Sequence, residues 1–228
     1  MGSDDGIQVL RAADRFVTHA EGRTTWHSFS FGVHYDPANL GFGAMLAHND
    51  ETLPVGTGYP AHPHRDTEIV TWVLEGALRH TDDAGNSGVL LPGEVQRVSA
   101  GSGIVHSETT EPGVRTRFLQ TWLRPDVPGG DASYAVARAL PGPGVTDAVG
   151  PGGLTVGTAG ARLTLATAVS GTLALPDAPR VHVFVVAGRA TLGHHDLGAA
   201  DAARLRDQGG RELVVLEPVT AAVWAFGV

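Results

Sequence analysis

The chain has 228 residues with 16 Lys+Arg against 24 Asp+Glu, a formal net charge of -8, and it is 42% hydrophobic and 18% charged. That composition is globular and long enough for one large domain or two small ones, and its acidity disfavours direct binding to nucleic acid or to an anionic membrane surface. With no cysteine there are no disulfides, thiolate ligands, iron–sulfur clusters or cysteine nucleophiles, so any metal must be held by nitrogen and oxygen.

No window approaches the apolar length of a membrane span, and the start, Met1-Gly2-Ser3-Asp4-Asp5, is acidic and polar, unlike a secretory signal. A cytoplasmic protein is expected. The 31 Gly and 14 Pro, set among short runs of Val, Leu and Thr, predict an all-β chain of short strands and tight turns.

Residues 7–20 predict an opening strand and turn with no chemistry. Thr25 to Val33 alternates, with His27, Phe29, Phe31 and Val33 on one face, which predicts one half-buried strand. On such a strand His27 and His34 have opposite parity, so hydrogen bonding or solvent is expected for each rather than a shared site. Phe42 to His48 predicts the next strand, and Asn49-Asp50-Glu51 a polar turn.

The stretch from Gly56 to Glu108 carries the strongest signal. His62-Pro63-His64 follows Gly56, Gly58 and Pro60, and His106-Ser107-Glu108 follows Gly101 and Gly103, so both pairs come after backbone bends. In a strand, residues at i and i+2 point the same way, so each pair can offer two donors to one side of a sheet. Packed or solvated histidines would satisfy the same spacing. If the four donors converge, three imidazoles and a carboxylate suit iron, manganese, cobalt, nickel, copper or zinc rather than calcium.

Between the pairs, Glu68 to Gly76 reads as an apolar strand, Asp82 to Asn86 as a hairpin turn, and Pro92-Gly93 as another turn. Arg117 to Leu123 closes the sheet. Pro125 to Gly153 is rich in Gly and Pro and predicts a linker. Beyond it, Arg180 to Leu192 echoes the rhythm of Glu68 to Leu78, an apolar strand running through a glycine into a new strand, which predicts an internal repeat. Only His182, His194 and His195 lie in this second half, so it is expected to bury apolar surface without metal chemistry.

The run His62-Pro63-His64-Arg65, Leu74-Glu75-Gly76, Pro92-Gly93 and Ala100 to Glu108 resembles the cupin superfamily and, specifically, the pirin family. The resemblance implies a bicupin, two jelly-roll-like β-barrels in tandem, with residues 1–131 as the metal-binding domain and 132–228 as a cupin-like domain without ligands. It implies His62, His64, His106 and Glu108 as the ligands of one divalent metal, with iron(II) foremost. Glu68 sits one residue earlier than the general cupin carboxylate, where strand parity turns it away, and is read as structural. The resemblance further implies a quercetin 2,3-dioxygenase (flavonol 2,4-dioxygenase) that opens a flavonol with dioxygen and releases carbon monoxide, with Glu108 as proton acceptor and Tyr59 and Gln120 lining the pocket. Pirin-like proteins are also implicated as iron-dependent redox sensors that bind a transcription factor or metabolic enzyme, and a metalloenzyme for another phenolic or enolisable substrate is the third reading.

Overall fold

The computed structural model describes residues 6–137 and 144–227. The acidic start Met1–Asp5, and Pro141, Gly142 and Pro143 of the expected linker, lie outside the described residues. Strand β1 (Ile7–Leu10) leads into a 3-10 turn at Ala12–Asp14, after which come β2 (Phe16–Ala20), β3 (Arg23–His27), β4 (Met45–Leu53), β5 (Gly58–His64), β6 (Glu68–Glu75), β7 (Leu78–Asp82), β8 (Ser87–Leu90), β9 (Val95–Ser99), β10 (Ile104–Thr110), β11 (Thr116–Leu123) and β12 (Ser133–Ala137). The later strands are β13 (Gly144–Val149), β14 (Ala161–Ala168), β15 (Gly171–Ala174), β16 (Arg180–Leu192), β17 (His195–Leu197), β18 (Ala202–Arg206) and β19 (Glu212–Phe226). The architecture is all-β, and no helix among the described residues is long and apolar enough to cross a membrane.

Two compact units form, and they do not divide at residue 131. One gathers β2 to β12 with residues 156–158, while β1 joins β13 to β19 in the other. Strand pairing explains both departures. β1 adds to β18, with Ile7 opposite Leu205, and β12 adds to β9, with Ser133 opposite Ser99. A short strand pairs with whatever edge buries its apolar side chains, and that edge is not written in its own neighbours. The expected linker therefore contains two strands, β12 and β13, despite its glycines and prolines.

The first unit has a seven-stranded sheet, ordered β12-β9-β6-β11-β4-β3-β2, and a four-stranded sheet, ordered β5-β10-β7-β8. β6 lies between β9 and β11 and is buried from Glu68 to Val73, which is why it reads as a continuous apolar run rather than an alternating one. Leu53, Val73 and Phe118 from the larger sheet pack on Leu78 and Leu90 from the smaller one. Pro60 and Pro63 are accommodated because β5 is an edge strand, where a missing backbone donor breaks no central ladder. Two expected elements differ. β3 stops at His27, and the chain from Ser28 folds back on itself through a bridge between Phe31 and His34. Asn49, Asp50 and Glu51 form the middle of β4, not a turn, and all three are buried.

The second unit is one eight-stranded sheet around a core of Val181, Val183, Val185, Leu192, Leu205 and Val223 among others. The echo between Glu68–Leu78 and Arg180–Leu192 has a physical basis in two glycines. Gly76 (φ 78°) and Gly188 (φ 84°) both adopt left-handed backbone, and a Cβ at either would run into a carbonyl oxygen, of Arg115 and Pro218 respectively. Gly188→Ala should cost roughly 2–4 kcal/mol through combined backbone strain and overlap. Gly152→Ala, with φ 88° but open space around it, should cost less. Thermal unfolding of the two variants against the parent checks the difference, and equal destabilisation would remove the close-approach explanation.

Candidate metal centre

Register brings the two histidine pairs together. β10 is antiparallel to β5, with His106 opposite His62 and Ile104 opposite His64. β10 also alternates cleanly, so Ile104, His106, Glu108 and Thr110 point inward while Val105, Ser107 and Thr109 do not. The three rings stand in a triangle, with centroids 4.5 Å apart for His62 and His106, 4.8 Å for His62 and His64, and 4.9 Å for His64 and His106. Each offers a nitrogen within 4.8 Å of the others.

The donors are free to ligate. His62 Nδ1 lies 2.8 Å from the Pro60 carbonyl and donates to it, which leaves Nε2 as the lone-pair nitrogen. His64 Nε2 and both ring nitrogens of His106 are buried without a hydrogen-bond partner among the described residues. Buried polar atoms normally find partners, so an unclaimed nitrogen on His64 and another on His106, grouped with His62, fit a cation. Burial, reinforced by the charge of neighbouring imidazoles, pushes His106 down to about 3 and His64 down to about 4. Both are neutral at physiological pH, the form a metal requires.

Glu108 stands differently from the histidine triangle. A bulge between His106 and Glu108 sets it opposite Tyr59 on β5, and on the other side it faces His80 of β7. It groups with His106 and His80 within 4.8 Å, rather than with all three histidines. Its oxygens are gripped from the opposite sheet. Gln96 Nε2 donates to Oε1 at 2.7 Å and Gln120 Nε2 to Oε2 at 2.8 Å. Thr71, between them on β6, accepts from both amides at 3.3 and 3.2 Å. Glu68 belongs to neither cluster. It is 4% exposed and accepts from Ser99 Oγ at 2.6 Å across β6 and β9.

His80, which lies outside both histidine pairs, is fully buried against this site, and its Nε2 donates to Asp82 at 3.0 Å. Burial alone would push Asp82 up, but hydrogen bonds from His80 and Asn86 together hold it below the usual carboxylate range. The missed clue was spacing, since His80 and Asp82 are another i, i+2 polar pair.

Above the histidines lies a cavity of about 350 Å³. Tyr59 and Gln120 are among the residues that line it. Phe31 and Trp122 supply an aromatic wall, with Trp122 edge-on to His64 at 4.9 Å, whereas Phe29 and Phe118 are sealed in the core. His27 is hydrogen-bonded as expected, to Asn49 at 3.0 Å and Thr18 at 2.8 Å. Because the chain folds back after β3, His34 also reaches Thr18, at 3.1 Å, so the two histidines that strand parity would separate share one partner. Arg23, Thr25 and Glu51 complete the polar side.

Two β units, one holding an inward cluster of histidines under a cavity, define a two-domain cupin. The Pirin family profile matches residues 9–123. A Mycobacterium tuberculosis protein, provisionally named a quercetin 2,3-dioxygenase, is 46% identical over 239 residues, covering 96% of this chain and 94% of that one. The Escherichia coli K12 protein named quercetin 2,3-dioxygenase is 42% identical over 136 residues, 58% of each chain. A crystal structure of the E. coli bacterial pirin YhhW in complex with nickel(II) superposes with a TM-score of 0.91 at 29% identity, covering 97% of this chain and 100% of that one. The chain belongs to the pirin family.

The depressed histidines carry a stability consequence. Their ordinary value is near 6.5, so below it the unfolded chain takes up protons that the metal-free folded protein refuses. Stability is complete above about pH 6.5 and should fall as pH drops toward about 3. Urea midpoints of metal-free protein across that window should decline, and His106→Leu should flatten the decline. An identical slope in the variant would show that His106 is not held neutral by the fold.

Proposed function

We propose that this chain is a metal-dependent dioxygenase for flavonol-like phenols, with His62, His64, His106 and Glu108 as the metal ligands. The observation that carries the reading is the convergence of three imidazoles, each with a nitrogen that no described residue claims, beside a cavity of about 350 Å³ with an aromatic wall. The relatives named as quercetin 2,3-dioxygenases support the choice of substrate class, and the nickel complex of the E. coli pirin supports a divalent metal. When bound, the metal would supply a Lewis-acidic centre for a substrate hydroxyl oxygen. Iron(II) heads the candidates, followed by manganese, cobalt, nickel, copper and zinc, since imidazole and carboxylate donors admit them all.

The protein's own contribution is orientation and exclusion. Trp122 and Phe31 stack or edge onto an aromatic ring and keep water from it. Tyr59 and Gln120 place polar atoms beside the ring hydroxyls. Glu108, held by two amide donors, keeps one set of lone pairs for the metal, and its clamped position favours a ligand over a mobile base. Flavonol plus dioxygen gives depside plus carbon monoxide, a reaction that balances without an external reductant. One cavity and one ligand site therefore suffice.

Protein reconstituted with each divalent metal should release carbon monoxide from quercetin under dioxygen. His106→Ala and Glu108→Ala should lose metal and activity, whereas Glu68→Ala should retain metal while losing about 1–3 kcal/mol of stability through the unpaired Ser99 hydroxyl and lost packing. Metal analysis and gas detection read both. Absence of release from protein shown to hold metal would overturn the flavonol reading.

A further inference from the structure

The cavity contains a second acid that the metal site does not use. Glu51, on β4, is 3% exposed and lines the same cavity as His62 and His64. Thr25 Oγ1 donates to its Oε2 at 2.5 Å, and Tyr59 OH donates to the same oxygen at 2.7 Å. No described residue donates to Oε1, and Glu51 makes no ion pair with a described residue.

Its neighbour on the strand is treated in the opposite way. Asp50 is held bidentately by Arg117 at 2.7 and 3.0 Å. Arg23, which lines the same cavity, is turned elsewhere: it lies over the Tyr59 ring, 4.4 Å from its centroid, and donates to Glu21 at 2.7 Å and to the Gly58 carbonyl at 2.5 Å. A buried carboxylate served only by neutral hydroxyls, with one oxygen unclaimed, is poorly built as a structural anchor. Glu51 lines the space a ligand would occupy.

We infer that Glu51 accepts the proton of a ring hydroxyl of the phenolic ligand at Oε1, with Thr25 and Tyr59 fixing the carboxylate in position. This rests on the flavonol reading. The ligand O–H bond breaks, its electron pair stays on the ligand oxygen, and the proton forms a new O–H bond on Glu51. That proton leaves later to water or to the carboxylate product, so the residue is restored. Glu108 is poorly placed for the step because each of its oxygens already takes an amide donor.

The electrostatics agree with the geometry. Burial pushes Glu51 up to about 7, the hydroxyls of Thr25 and Tyr59 pull it back, and the negative charges of Glu108 and Asp50 add to the rise. Arg23 and His27 from β3 and His62 from β5 share its cavity wall, and Phe118 is its apolar cross-strand partner on β11. An acid that titrates near ambient pH is the one best suited to proton exchange.

The test uses metal-loaded protein without dioxygen and follows the absorption of bound quercetin, which shifts to longer wavelength on ionisation, as pH is varied. In Glu51→Gln, with metal content unchanged, ionisation of bound quercetin should move up by about one pH unit or more, and turnover should fall about 100-fold. Infrared titration of the carboxyl band needs no ligand and covers the case in which that variant fails to fold. It should show a group titrating near neutrality in the parent, with its midpoint raised in Tyr59→Phe because a stabilising hydrogen bond is lost. Unchanged ionisation in Glu51→Gln, or an unmoved midpoint in Tyr59→Phe, overturns the assignment to Glu51 alone. Failure of quercetin to bind the parent protein overturns the flavonol reading, and the role of Glu51 falls with it.

Discussion

The grip of Gln96 and Gln120 on Glu108 is the interaction on which the first unit depends. It joins the two sheets through a carboxylate that is 1% exposed, with Thr71 receiving both amides on the strand between them. A buried charge with only one donor would be costly, and two charge-assisted bonds from fixed amides offset that cost. The row is exact in register, because Thr71 lies opposite Gln96 on one side and Gln120 on the other. Slipping any of these strands by one residue would turn the row to the opposite face and leave the carboxylate bare. The polar row thus locks the alignment that also places His106, two residues before Glu108.

Three buried glutamates show how neighbours decide role. Glu68 pairs across strands with Ser99, near the Arg97 guanidinium, and serves the wall of the sheet. Glu108 takes two amides and stands beside imidazoles. Glu51 takes two hydroxyls on one oxygen, leaves the other without a donor, and lines the cavity. All three are nearly inaccessible, so exposure alone would have ranked them together. What separates them is the neighbourhood: two amides fix Glu108, a serine hydroxyl and a nearby guanidinium serve Glu68, and burial beside Glu108 and Asp50 raises the proton affinity of Glu51 against the pull of its two hydroxyl donors.

The histidine pairs were legible in the chain because their signal is local: two ligands at i, i+2 on one strand, each pair preceded by a bend. So was the repeat, since a glycine forced into left-handed backbone against a crossing carbonyl has no substitute. Asn49, Asp50 and Glu51 misled because a strand that faces a polar cavity has the composition of a turn. The reading of Thr25 to Val33 as one strand failed for a related reason: its alternation persists in residues that leave the sheet and return to wall the cavity. Gln96 was silent, an ordinary polar residue whose role exists only through Glu108 on another strand. Nothing in the residues around β1 or β12 announces which edge each will join.

The second unit shows what the same rhythm does without a polar row. On β16 the side chains of Val181, Val183 and Val185 pack with Leu205 on β18 and Val223 on β19 into a continuous apolar core. Among the described residues His182, His194 and His195 gather into no metal-type group. The left-handed glycine at the strand bend is present in both units, at Gly76 and Gly188, so what the repeat shares is backbone geometry and not chemistry. An apolar interior needs no partner for its own stability, whereas the first unit's interior holds imidazoles, amides and carboxylates that satisfy one another only in part. Part of the remainder lies at the site: His64 and His106 keep unclaimed nitrogens, Glu51 keeps an unclaimed oxygen, and His64 and Glu51 line the cavity. Around the cavity, a ligand can supply what the histidines and Glu51 lack.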